Sequence, residues 1–377
     1  MMTSAADPMT PAKAARPAGL LARQRIAALA ARGVIDAAAP MESGQLQPAS
    51  LDLRLGAEAF RVRASFLPGR GATVAERLKS LNPERVSLTG EGAVLEKGIV
   101  YIAPLMERLA LPATVSGAAN PKSSTGRLDI FTRLIADGSD AFDHVPPGYA
   151  GPLFAEISPR SFSVRVRAGS RLNQLRFRDG GAALILDPGA LRACHEASPL
   201  VDRPLNLRDG LILHVGLAGE KGEVVGYRAI KNSDVIDVDR VGRYAAQDFW
   251  EPILARADRR LVLDPDEFYI LASREKMRIP ADLAAEMAPI DPAIGEFRVH
   301  YAGFFDPGFG QGADGLPAAR AVLEVRSRDV PFLLEDGQPV GRLVFERLAD
   351  AADELYGAGA TSNYQHQGLK LSKHFRG

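Results

Sequence analysis

The pattern of apolar and polar positions changes character early in the chain. Residues 19–32, GLLARQRIAALAAR, are dense in helix formers, and Gly33 follows as a natural stop. Beyond it, short apolar runs alternate with clusters of Gly, Pro, Asp and Asn. The runs are SLDLRLG (50–56), GIVYIAP (98–104), PLFAEIS (152–158), SVRVRAG (163–169), LILHVGL (211–217), EFYILAS (267–273), AVLEVRS (321–327) and VGRLVFE (340–346). Runs of this length bounded by turn formers predict strands. A second helix is predicted around 243–257, and the Ala/Pro/Thr-rich residues 1–18 are expected to be disordered. The fold class read from the pattern is mainly β.

The pattern also repeats. LEKGIVYIAPLMERLALPATV (95–115) matches LDPDEFYILASREKMRIPADL (263–283): Tyr101 aligns with Tyr269, Glu107 with Glu275 and Pro112 with Pro280, each 168 residues apart. Glu156 with Glu324 and Phe177 with Phe345 keep the same spacing, and ASLDLRLG (49–56) echoes GLILHVGL (210–217) with Gly56 on Gly216, a spacing of 160. A spacing held over so long a stretch implies two copies of one β unit. The expected organisation is a disordered 1–18, a first unit with its helix over 19–200, a second, diverged unit over 201–347, and a tail over 348–377.

Composition narrows the function classes. The chain has 377 residues with 46% apolar, enough for a sizeable core, and 46 basic residues balance 46 acidic ones. Zero formal charge argues against a bulk nucleic-acid binder but leaves room for a local site for a small anion. The single cysteine, Cys194, permits no intrachain disulfide. No apolar stretch approaches the ~18 residues of a membrane span, and the opening residues lack a secretory apolar core. A cytoplasmic setting is the default that follows.

The densest polar cluster is NPKSSTGR (120–127), which combines Lys122, Ser123, Ser124, Thr125, Gly126 and Arg127. Such a set could cradle a phosphate or form a polar surface turn, and it lacks the GxxxxGK[ST] spacing of a P-loop. Glu156 sits inside an apolar strand, where a carboxylate is paired, solvated on one face or catalytic. The six histidines are scattered, and Cys194-His195-Glu196 is the one ligand-like cluster. Neighbouring residues rarely converge on one ion, and the zinc-deaminase signature is absent. The Gly-rich GFFDPGFGQGADG (303–315) reads as a hairpin turn. The polar YGAGATSNYQHQGLKLSKHF (356–375) is either a frayed end or a segment that folds over an anionic ligand.

Together these pieces resemble the dCTP deaminase family, a branch of the trimeric dUTPase fold. QPASLDLRLG (47–56) resembles its opening strand, and KSSTGR (122–127) its Arg-Ser-Ser-x-x-Arg phosphate motif with Lys122 in place of the first Arg. FDHVPPGYAGPLFAEIS (142–158) resembles the base-holding hairpin and the strand that carries the catalytic Glu. The tail resembles the lid motif Tyr-x-x-Gln-Gly-x-x-x-Ser-[Arg/Lys], here Tyr364, Gln367, Gly368, Ser372 and Lys373. The second copy departs from the motif, with PIDPAIGEF (289–297) in its place, yet it keeps a compact hairpin, HYAGFFDPGFG (300–310), and Glu324.

The resemblance implies two tandem, distorted β-barrel or jelly-roll units of the dUTPase type. It implies zinc-independent hydrolysis of dCTP to dUTP and ammonia, in the supply of dUMP and dTTP. The alternatives are a bifunctional deaminase and dUTPase, a plain dUTP diphosphatase, and a non-catalytic nucleotide-binding regulator. Glu156 is the expected general base, with Ser123 and Arg127 placing the water and stabilising charge. Lys122, Ser124, Thr125, Gly126, Gln174, Tyr364, Gln367 and Lys373 are expected on the nucleotide, with Asp143, Phe154 and Ala155 at the sugar and base. Mg²⁺ is expected only as the counter-ion of the triphosphate. A second-copy site with Asp306 and Glu324 competes; Glu324 is less favoured because Arg326 and Arg328 follow it and offer a structural ion pair. A homotrimer is the simplest assembly that groups such units in threes, and no nucleic-acid or membrane partner is expected.

Overall fold

A computed structural model describes residues 18–180, 184–289, 297–299, 303–327, 329–358 and 364–376. The N-terminal 1–17, most of 289–297 and Arg328 lie outside the described residues. The chain is mainly β, and all eight apolar runs fall on strands.

The two halves repeat one strand order. In the first half, one sheet runs His144–Val145, Val115–Pro121, Arg171–Asp179, Ser50–Arg54, Leu46–Gln47. Its counterpart runs Phe304–Phe305, Leu283–Ala288, Pro339–Arg347, Leu211–His214. The facing sheet runs Ile130–Ala136, Ala150–Pro159, Val100–Ala110, Glu58–Val62, Glu84–Ser87. Its counterpart runs Phe297–Val299, Ala319–Ser327, Phe268–Met277, Val224–Ala229, Trp250–Leu254. Central strands such as Ala150–Pro159 are buried on both faces, which explains their unbroken apolar runs.

Helix is scarce. The first helix spans Arg23–Ala31, inside its expected range. The helix expected around 243–257 does not form: strands at Tyr244–Ala245 and Trp250–Leu254 flank one 3-10 turn. Pro252 cannot donate within a helix, and Phe249 and Trp250 instead pack on Phe375 at centroid distances of 5.5 and 5.9 Å. Two helices were not anticipated. Val74–Leu81 opens with a reciprocal capping box between Thr73 and Glu76, and Pro188–Ala197 starts from an Asp187 cap with Pro188 in its first turn. The latter helix fans Cys194, His195 and Glu196 apart.

The halves are interlocked by buried charge and close backbone approach. Arg178 donates to both oxygens of Glu346 at 2.6 and 2.8 Å, and these partners are themselves 168 residues apart in the repeat. Arg326 pairs with the fully buried Asp129 of the first half. At Gly303 an added Cβ would stand 1.6 Å from Asn120 Nδ2, so only glycine lets the second half's hairpin reach the first half. A segment of the second half, Ile236–Asp237, adds a parallel strand to Val164–Val166 of the first, clamped by Arg167 on Asp237 at 2.7 and 2.8 Å. No helix among the described residues is long and apolar enough to cross a membrane.

Candidate active site

The polar motif 122–127 opens a cleft of about 570 Å³ between the halves. The strand Val115–Pro121 ends at a proline, and the chain turns into a single helical turn, Ser123–Gly126. Its first carbonyl, Lys122 O, accepts from Thr125 N at 2.8 Å and Gly126 N at 3.0 Å. Asp129 then takes a positive φ of 53°, which ends the turn. The turn thereby presents Lys122, Ser123, Ser124, Thr125 and Arg127 to the cleft.

The opposite wall comes from the second half. Phe304, Phe305 and Asp306 of its hairpin line the cleft, as does Val322, two residues before Glu324 on the same strand face. The Glu324 side chain is 1% exposed. A Cβ added to Gly126 would stand 2.3 Å from Glu324 Oε2, so the carboxylate lies directly on the backbone of the motif turn. Of the two arginines that the sequence offered to Glu324, Arg326 pairs with Asp129 and donates to Asp266 O at 2.6 Å, and Arg328 lies outside the described residues.

Cations gather at one end. Lys122 forms an ion pair with the buried Asp52, and Arg171 with Glu42. Burial, and then the charge of Lys122, push the Lys373 ammonium below its ordinary pKa. Clustered cations of this kind favour an incoming anion. Asp306 is pushed the other way, up by burial, while Arg176 at 3.3 Å opposes the shift. Gln174 lines the cleft and donates to Pro121 O at 3.2 Å, bracing the strand that leads into the motif.

The tail closes the site. Tyr364 lies under the Arg127 guanidinium at 3.9 Å, and Arg127 donates to Gln367 Oε1 at 2.8 Å and Lys370 O at 2.9 Å. Ser372 Oγ donates to Ser124 O at 2.9 Å. Further on, Phe375–Arg376 pairs in parallel with Tyr244–Ala245, and His374 Nε2 lies 2.8 Å from Val238 O. Burial pushes the His374 imidazole down to about 4, so it is neutral at pH 7. Of the two sequence readings of this segment, the structure adopts the folded one over 364–376.

Glu156, Asp143, Phe154 and Ala155 do not join this cleft. Glu156 is 1% exposed and held by Arg133 at 2.8 and 3.1 Å and by Ser65. Arg133 is itself sandwiched on Phe142, 3.4 Å from its ring centre. Phe154 packs with Val62, Val74 and Leu78 under the capped helix, and Ala155 is in the main core. Sequence reasoning missed Asp52, Arg171, Arg176 and Phe304. For Asp52 the signal was a carboxylate inside the apolar SLDLRLG run. Among the described residues no group of three or more His, Cys, Asp or Glu is placed to share a metal ion.

Two family models match the chain: the N-terminal domain of 2'-deoxycytidine 5'-triphosphate deaminase over 17–181, and its C-terminal domain over 174–375. The chain belongs to the dCTP deaminase family. The crystal structure of 2'-deoxycytidine 5'-triphosphate deaminase from Agrobacterium tumefaciens is 53% identical, with a TM-score of 0.84 over 88% of this chain and 100% of that one. A dCTP deaminase of Haloarcula marismortui is 30% identical over 136 residues, 36% of this chain and 67% of the relative. A dUMP-forming dCTP deaminase of Beutenbergia cavernae is 33% identical over 114 residues, 29% of this chain and 55% of the relative. The family and the deaminase activity expected from the sequence agree with these matches, and the curated relatives are matched over about half to two thirds of their length.

The unused first-half carboxylates yield a pH prediction. Asp143 has a positive φ of 58° and accepts from Leu134 N at 2.7 Å. Burial pushes it up to about 7, with Arg133 opposing and Glu156 and Glu286 adding to the rise. The folded chain therefore holds a proton that the unfolded chain releases near pH 4, and stability falls as pH rises from about 4 to about 7. Asp143→Asn keeps the acceptor and removes this loss. Its Tm should gain on the parent as pH goes from 5 to 8; parallel melting curves would contradict the assignment.

Proposed function

We propose that the cleft between the halves deaminates dCTP, with Glu324 rather than Glu156 as general base. The observation that carries this reading is the contact of the Glu324 carboxylate with Gly126 in the motif turn. Glu324 takes a proton from the water attacking C4 and passes it to N3. The hydroxyl proton of the adduct then goes to the amino group, which leaves as ammonia, so dCTP and water give dUTP and ammonia. Ser123 and Arg127 orient the water and stabilise the developing charge. Lys122, Ser124, Arg171 and Lys373 hold the triphosphate, with Thr125 and the Gly126 backbone completing the turn beneath it and Mg²⁺ arriving as its counter-ion. The hairpin of Phe304, Phe305 and Asp306 receives the sugar and base, assisted by Gln174, and Tyr364 and Gln367 fix Arg127 from the tail. No zinc enters this scheme. Glu156 serves as half of a structural ion pair.

The wider frame is also proposed. The repeated strand order supports two tandem dUTPase-like barrels, the first to about 200, the second over 201–347, followed by the tail. The setting is cytoplasmic, supplying dUTP toward dUMP and dTTP. A bifunctional reading, in which dUTP is hydrolysed further, is favoured by the dUMP-forming relatives. Pyrophosphate released alongside ammonia would select it.

Glu324→Gln should lower kcat for ammonia release by about 10²–10⁴-fold while dCTP still binds. Gly126→Ala should mimic the loss, since its methyl group meets the carboxylate. Glu156→Gln should lower Tm and leave kcat near the parent value. Activity lost in Glu156→Gln and kept in Glu324→Gln would reverse the assignment. A homotrimer should give a light-scattering mass three times 40.4 kDa, and a single-chain mass would remove it.

A further inference from the structure

We infer that Arg176 is a positioning residue that holds the second half's hairpin in its substrate-receiving geometry from the first half. Arg176 is 2% exposed, and its guanidinium donates to Phe305 O at 3.0 Å, Ala285 O at 3.0 Å and Asp306 Oδ1 at 3.3 Å. The same group lies over the Phe304 ring at 4.0 Å. One side chain thus fixes three consecutive hairpin residues, and all three line the cleft. A planar fork with several donors suits this task in a way an ammonium does not.

The repeat argues that this contact serves the site rather than the fold alone. Arg176 stands opposite Ala118 in its strand pair, and the equivalent position 168 residues on is Val344, opposite Glu286. Val344 has no comparable reach, so at this repeat position it is the hairpin at the cleft that a cation from the other half holds. Neither Arg176 nor the neighbouring Arg178 lines the cleft itself, but Arg178 pairs with Glu346, which lies outside the lining, whereas Arg176 grips three residues that line it. The two arginines therefore separate positioning from simple cohesion of the halves. Asp306 meets Arg176, Asp52 and Lys122 in its surroundings, and Arg176 meets Asp306, Glu286 and Glu346. Without Arg176, the hairpin acid loses its nearest cation and two carbonyls lose their donor.

This inference rests on the deaminase reading of the cleft, and the test separates the two. Ammonia release from dCTP is measured for the parent chain, Arg176→Met, Arg176→Lys and Arg178→Met, each with its Tm. Arg176→Met should raise KM for dCTP by about 10²-fold with kcat changing far less, and Arg176→Lys should recover part of the loss. Arg178→Met should lower Tm without moving KM. In an Asp306→Asn background the KM penalty of Arg176→Met should shrink, because the two act on one element. An unchanged KM in folded Arg176→Met would overturn the inference. So would full parent KM in Arg176→Lys if the Met variant does not fold, or penalties that simply multiply with Asp306→Asn. A parent chain that releases no ammonia would instead remove the deaminase reading itself.

Discussion

The architecture turns on one close approach: the carboxylate of Glu324 resting on the backbone of Gly126. A carboxylate that is 1% exposed is costly to bury without polar neighbours, and this one sits against the motif turn of the other half of the chain. Other contacts between the halves gather around it. The Arg326–Asp129 pair ties the strand of Glu324 to the residue that ends the turn. Gly303 lets the hairpin seat on Asn120, just before the motif. Arg176 holds the same hairpin from the far side. Breaking any one of these buried charge pairs by removing a single partner costs about 3–5 kcal/mol, because the remaining charge stays buried.

The two halves share a strand order but bring different groups to the cleft. The first keeps the hydroxyl and cation set, and its own glutamate has been taken up by Arg133. The second supplies the compact hairpin, Glu324, the tail and the segment 236–245 on which the tail docks. The tail is fastened at both ends of its described stretch, by Arg127 and Gln367 at the cleft and by Phe375 in an aromatic cluster beyond it. It meets the cleft as a fixed wall.

Much of this was legible in the sequence, and the exceptions have physical causes. The strand runs, the repeat spacing, the motif turn and the tail residues could all be read because each is a local pattern. The sequence favours Glu156 because it shares a copy with the motif, and chain proximity carries no sign that the strand of Glu324 is the one that lies against the motif turn. Arg133, which occupies Glu156, lies 23 residues away on the paired strand and carries no local signal. The helix expected at 243–257 was overridden by burial of Phe249 and Trp250. The capped helix at Val74–Leu81 was announced by Thr73 and Glu76 and went unread within its polar surroundings.

On this reading each chain holds one complete site assembled from both halves. Calorimetric titration of the Glu324→Gln chain with dCTP counts sites without turnover. One nucleotide bound per chain is the expected result, and two equivalent nucleotides per chain would rule out a single shared site.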